Sequence, residues 1–227
     1  YHGPDGTAAL ALVQPIWNII YSLGLLMGIG GSVIFSTIRG QAQQNDQREN
    51  EYFSTALIGA IVLSVIAWIA IWCFETPILM FFGADLTLLP LAQSYLVTIK
   101  LVFPLFLFNQ MLAAFLRNDN HPGLATIGVL SGGLFNVFGD YIFVFILDMG
   151  IYGAGLATAV GSAISFLVML SHFWTRKNTL AFRRPVQFLH KLREIVITGF
   201  STFFIDIAMG ILTVLFNRQI MKFLGTD

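Results

Sequence analysis

Six apolar stretches, at 8–38, 52–74, 88–116, 122–147, 151–174 and 195–217, constrain this chain more than any other feature. Crossing a hydrocarbon core of about 30 Å takes about 20 helical residues, and each stretch supplies that length. Barrel strands would instead read as segments of about 10 residues with alternating polarity, and no such alternation is present. A helix satisfies every backbone donor and acceptor within itself, as the bilayer core requires. The expected fold class is therefore all-α, a polytopic transmembrane helix bundle whose surroundings are the lipid bilayer. Charge supports this: 11% of the chain is charged and 56% hydrophobic, against about 25% charged in an ordinary soluble domain. That balance excludes a soluble enzyme, a disordered chain and a nucleic-acid binder. Cys73 is the single cysteine, so neither a disulfide framework nor a cysteine-based zinc site is available.

The connectors alternate in charge. Arg39, Arg48, Arg117, Arg176, Lys177, Arg183, Arg184, Lys191 and Arg193 fall on one side; Arg218 and Lys222 fall on the other, and Lys100 lies within a span. The side holding nine basic residues is expected to be cytoplasmic, so both ends of the chain are expected outside. Residue 1 is Tyr rather than Met, and Tyr1 and Asp227 both fall in external loops, so both ends are expected to be cut points. No basic n-region precedes a short apolar run as in a cleavable signal. The polar segment 175–194, with Arg183-Arg184-Pro185 inside it, reads as a linker between two bundles. It is either a basic amphipathic piece on the inner membrane surface or a plain solvated loop.

A carboxylate within a span costs about 2.5–3.5 kcal/mol on insertion scales, which makes it a functional candidate. Asp140 and Asp206 have that position; the other ten acidic residues read as loop or helix-end charges. Asn136 lies one turn from Asp140 on the same helix face. Thr158 on the next span is as many residues from the intervening hairpin as Asp140, so the two are expected level. Carboxylate, amide and hydroxyl oxygens suit a proton or Na⁺ at Asp140 rather than zinc or copper, and no other metal site is expected. Counting from the preceding hairpin places Lys100 level with Asp140, which allows an ion pair; the alternative is a lysine reaching for the headgroups. Gln14, Asn18 and Ser22 form one polar stripe that would line a wet cavity. Gly24-x-x-x-Gly28, Gly128-x-x-x-Gly132 and Gly155-x-x-x-Ala159 are small-residue faces for close helix packing. Pro15 and Pro104 are expected to kink their helices.

Several motifs together resemble the multidrug and toxic compound extrusion (MATE) transporters, in order and along nearly the whole chain. They are Gly28-Ile29-Gly30-Gly31-Ser32 after Pro15, Phe115-Leu116-Arg117-Asn118-Asp119 closing the Pro104 span, Asn136-Val137-Phe138-Gly139-Asp140, and Gly150-Ile151-Tyr152-Gly153-Ala154-Gly155-Leu156-Ala157-Thr158. The resemblance implies twelve helices in two lobes, of which this chain supplies helices two to seven. Residues 1–174 would form most of the first lobe, 175–194 the cytoplasmic linker, and 195–227 the first helix of the second lobe. Tyr1-His2-Gly3-Pro4-Asp5 and Phe223-Leu224-Gly225-Thr226-Asp227 would then be the same external loop of two parallel repeats.

The function implied is a cation-coupled antiporter that exports amphipathic or cationic drugs by alternating access. It would act as a monomer in a bacterial inner membrane, with H⁺ or Na⁺ as the coupling ion and no other cofactor. Its cation site would map onto Asp140, Asn136 and Thr158, and Tyr95 falls where some members have a cavity tyrosine. Asp206 lies near an acidic position of the seventh helix. The acidic residue of the family's first helix is missing, and Lys100 occupies a usually neutral position. Two other readings remain open. A lipid-linked oligosaccharide flippase would need more basic charge in its spans than Lys100 alone. An intramembrane aspartyl protease would need Asp140 and Asp206 level, whereas counting separates them by about 10 Å of helix rise.

Overall fold

A computed structural model describes the backbone of residues 3–41 and 48–224, with side chains except at 3, 4, 213, 214, 217, 218 and 220–224. The terminal pentapeptides read as a repeated loop lie largely outside the described residues. Helix α1 spans Gly3–Gln41, α2 Glu49–Phe81, α3 Leu88–Asn118 and α4 Pro122–Asp140. The last of these continues without a break as a π-helical segment, Tyr141–Ile146. Helix α5 spans Gly150–Leu170 and ends in a 3₁₀ turn, Ser171–Trp174; α6 spans Phe188–Leu224. All six are long and apolar enough to cross a membrane.

Helix α1 is the hub, packing against α2, α3 and α6, while α3 also meets α5 and α5 pairs with α4. Phe35, Met27, Ile20, Leu96, Leu107 and Phe115 fill the core between them. The glycine faces act as expected. Gly24 and Gly28 bring α1 onto the α3 backbone near Leu107 and Met111, and Gly128 lies against Met169 of α5. A further crossing was not read from the sequence: Gly30 of α1 and Gly199 of α6 meet backbone to backbone, and a Cβ at either would overlap the other helix.

Two connectors differ in extent from the reading of the sequence. The segment 75–87 is not a loop, because α2 runs on to Phe81. Its single departure from helical geometry is Phe74 (φ −122°, ψ 23°). Pro77 follows three residues later, removing the hydrogen bond to residue 73 and crowding that carbonyl. The break lies there, while Pro15 and Pro104 sit inside α1 and α3. The linker read over 175–194 is shorter than that. Residues 175–187 form no helix, and 188–194 are simply the first turns of α6, entered through Gln187 at φ 54°.

That non-helical segment is tied to the ends of four helices. Asp119, after α3, is 2% exposed. It accepts from Arg39 Nη1 of α1 at 2.7 Å, from the Thr179 hydroxyl, and from the Thr179 N–H at 3.2 Å. Its second oxygen lies 2.7 Å from His172 Nε2, at the end of α5. Asn50 of α2 donates to the Thr179 carbonyl at 3.2 Å and accepts from the Ala181 N–H at 2.9 Å. Glu51 pairs with Lys191 at 2.9 Å, and the Tyr52 hydroxyl donates to Glu194 at 2.5 Å. The reading of Asp119 as an ordinary loop charge is thereby corrected.

Burial alone would push Asp119 up, but the bonds from Thr179, His172 and Arg39 outweigh it and hold its carboxyl below its ordinary range. A lowered folded value means stabilisation that is complete above the unfolded value, about pH 4, and is lost as pH falls through the folded one. Asp119→Asn is expected to lower unfolding stability by about 1–3 kcal/mol at pH 7, since the buried carboxylate's charge-assisted bonds from Arg39 and Thr179 are lost or weakened while Arg39 itself stays partly solvated. The deficit is expected to narrow as thermal unfolding in detergent is followed from pH 7 to pH 3. A deficit independent of pH would show that the charge is not what stabilises the connector.

Candidate cation-binding site

The site lies where α4 and α5 face α3. Asn136 Nδ2 donates to Thr158 Oγ1 at 3.1 Å, and Thr158 donates to the Ala154 carbonyl at 3.0 Å. The Tyr95 hydroxyl, on α3, lies 3.3 Å from the same Thr158 oxygen, with Tyr95 itself buried. Gly155 permits the approach, because its missing side chain leaves room for the Tyr95 backbone and the Thr98 hydroxyl. Gly161 likewise sits against the Gly132 carbonyl on α4. Small residues on facing helices thus bring three polar side chains from three helices to one point.

Thr158 bonds Asn136 rather than Asp140, while Gly139 lies directly against Ala157, so Thr158 stands between the levels of Asn136 and Asp140, within about half a turn of the level expected. A π-helical segment starts directly after Asp140, with the Leu147 N–H bonded to the Ile142 carbonyl five residues back at 2.9 Å. Wide turns inside α-helices occur often at functional sites. Asp140 sits one turn from Asn136, and its Oδ1 is buried with no hydrogen-bond partner. A buried, unsatisfied carboxylate oxygen costs free energy unless something fills the role of partner. A proton does so directly. A Na⁺ would draw on Asp140 Oδ1 together with Asn136 and Thr158 oxygens, all hard donors suited to such an ion. Among the described residues no group of three or more His, Cys, Asp and Glu side chains is placed to hold a metal.

A polar cavity of about 240 Å³ opens beside Asn136 and Thr158, lined also by Tyr21, Asn109, Gln110 and Ser162. Asn109 Nδ2 donates to both the carbonyl and the hydroxyl of Ser162 at 3.0 Å, and its Oδ1 is buried without a partner. Sequence reasoning passed over Asn109-Gln110, although two adjacent amides near the middle of an apolar span were a readable signal. Tyr21 and Phe106 form one wall, and Trp17 packs behind them, its ring centroid 4.3 Å from that of Phe106.

The remaining candidates lie elsewhere. Lys100 does not pair with Asp140. Its Nζ is 2.8 Å from Glu75 Oε2 and 4.9 Å from the centre of the Trp72 ring, and its carbonyl accepts from Trp68 Nε1 at 2.6 Å. The continuation of α2 past Phe74 carries Glu75 to this level, so the reading of Glu75 as a loop charge fails for the same reason. Asp206 is held by the Ser22 hydroxyl, which also donates to the Asn18 carbonyl at 2.5 Å. Gln14 donates to Asn18 Oδ1 at 3.3 Å, and Asn18 lies against Gly210. From Asn18 to Ser22 the stripe expected to line a cavity is thus part of the α1–α6 seam, with Gln14 exposed at its end. Asp140 and Asp206 have no partner in common, which removes the basis for a shared-proton dyad.

Comparison with known proteins agrees with this geometry. Residues 1–142 match the MatE family. Multidrug export protein MepA of Staphylococcus saprophyticus is 27% identical over 215 residues, covering 92% of this chain and 47% of the relative. MepA of Staphylococcus aureus is 26% identical over 212 residues, with the same coverage. The chain thus spans about half the length of the curated relatives it matches. Among solved structures, the MATE multidrug transporter DinF-BH in complex with R6G superposes with a TM-score of 0.85 at 26% identity, over 98% of this chain and 50% of that one. An inward-facing MATE transporter of the MOP superfamily gives 0.84 at 22% identity, over 92% and 48%. With more than half of its residues matched by the family and six membrane helices in the arrangement of half such a transporter, this chain belongs to the MATE family of multi-pass membrane transporters.

Proposed function

We propose that this chain supplies helices two to seven of a twelve-helix antiporter that exports amphipathic, often cationic, organic compounds, and that a proton at Asp140 couples export to the membrane gradient. On this reading residues 3–174 belong to the first lobe and α6 opens the second, with the connector and its basic residues facing the cytoplasm. The observation that carries the proposal is the buried, unpartnered Oδ1 of Asp140, one turn from the Asn136–Thr158–Tyr95 cluster and at the foot of a π-helical segment. A proton relieves that oxygen with the Asn136–Thr158 bond left in place, whereas a Na⁺ would have to draw those side chains off their present partners, which favours H⁺. Addition and loss of that proton changes the charge of the cluster, and a ligand moves a two-state equilibrium only by binding the two states unequally. The relatives named for multidrug export and the R6G-bound homologue support an organic substrate.

Whole-cell dye efflux by the complete protein, with H⁺ and Na⁺ gradients collapsed separately, tests this. Efflux is expected to stop when the proton gradient is removed and to persist without Na⁺. The reverse result assigns Na⁺ to the site and overturns the proton reading.

A further inference from the structure

A second cavity, of about 380 Å³, lies on the far side of α3 from the polar one. Its walls are apolar, built from Phe53, Leu57 and Ile61 of α2, Met111 of α3, Phe166 of α5 and Phe182 of the connector. Phe53 and Ile61 are eight residues apart, so the groove runs about 12 Å along the membrane normal. That is most of the roughly 15 Å hydrocarbon depth of one leaflet. Ile61 and Phe182 are 46% and 64% exposed, so the groove opens sideways.

The connector strap beside it has the opposite character. Residues 175–187 carry Arg176, Lys177, Arg183 and Arg184 and no acidic side chain, and all four basic residues are exposed. The strap is held beside the groove by α2: Asn50 bonds Thr179 and Ala181, and the Ser54 hydroxyl accepts from the Arg183 N–H at 2.7 Å. Trp174, 77% exposed, flanks it at the end of α5, as aromatic residues do at a membrane–water interface.

We infer that this groove is a binding site for an anionic phospholipid of the connector-side leaflet, one acyl chain lying in the groove and the phosphate resting on the basic strap. A leaflet-deep apolar slot beside a segment with exposed positive charge complements an anionic amphiphile and disfavours a cationic one. Each basic residue near the headgroups contributes about a fivefold preference for anionic lipid. The site is independent of the Asp140 reading, since it shares no residue with it.

Native mass spectrometry of the complete protein, from detergent containing equal phosphatidylglycerol and phosphatidylcholine, tests the site. Wild type is expected to retain phosphatidylglycerol selectively. Arg176→Gln/Lys177→Gln/Arg184→Gln, which alters only exposed side chains, is expected to lower that selectivity at least about tenfold. Ile61→Trp, filling the groove from its exposed side, is expected to retain one phosphatidylglycerol fewer per protein with an unchanged thermal midpoint. Equal retention of both lipids by wild type, as when another part of the protein covers the groove, overturns the inference. So does undiminished selectivity in the triple variant. Full retention in Ile61→Trp would place the lipid on the strap alone, which also overturns it.

Discussion

Asp140→Asn in the complete transporter is expected to reduce gradient-driven dye efflux to the background of cells lacking the protein. Asparagine keeps the size of the side chain and resembles the protonated acid, so the fold and the Asn136–Thr158 bond are expected to persist. What it removes is the ability to gain and lose a proton, and with it any difference in ion affinity between the two arrangements of the transporter. Shifting a two-state equilibrium from 1:99 to 99:1 takes a preference of about 10⁴-fold, which a neutral amide has no means of switching. Dye binding to the purified protein is expected to stay within about threefold of wild type while the efflux rate falls more than tenfold, the two measurements separating coupling from recognition. Asp140→Glu is expected to keep part of the efflux. Efflux at the wild-type rate in Asp140→Asn would remove this residue from the mechanism.

The largest effect on stability is expected at Lys100. Its side chain and that of Glu75 are 10% and 16% exposed, and they face each other at 2.8 Å between α3 and α2. Lys100→Ala leaves Glu75 charged, buried and without its partner, a change that costs about 3–5 kcal/mol. It also removes the ammonium from the Trp72 face, a further about 0.5–2 kcal/mol. Replacing both residues with neutral ones of similar shape, Lys100→Met with Glu75→Gln, is expected to recover most of the loss, because buried ion pairs often exchange for apolar packing at little cost. Unfolding of the single and double variants in detergent measures the coupling. Efflux per folded molecule is expected to be the same in the double variant, since Lys100 lies apart from Asp140. If the single variant were as stable as wild type, the pair would contribute nothing to holding α2 against α3.

The helices and their number were legible from length and hydropathy, because the bilayer imposes so strict a rule on both. The glycine faces were legible too, for a missing Cβ has few other uses in such helices. The partners of individual charges were not. Counting residues from hairpins places a level but not a bond: Gly139 does lie against Ala157, yet Thr158 bonds Asn136 and not Asp140. The continuation of α2 through Phe74 brought an uncounted carboxylate to Lys100. Asp119 and His172 escaped notice for another reason. Each is adjacent to a connector, where a charge costs nothing unless the connector folds back, and whether it does depends on contacts 50 to 130 residues distant in sequence. Asn136 and Asp140 were legible because the same side chains within a span have no inexpensive alternative.

The Gly30–Gly199 crossing sets how firmly α6 is held to the helices before it. Backbone contact of this kind leaves no compressible side chain between α1 and α6, and the Ser22–Asp206 bond, Asn18 against Gly210 and the tied connector extend the grip over some four turns. In mechanical terms the connector and this seam together clamp α6 against α1 and α2 in the arrangement seen here. On the proposed reading, in which α6 opens the second lobe, any rocking of one lobe against the other has to part or slide this seam first.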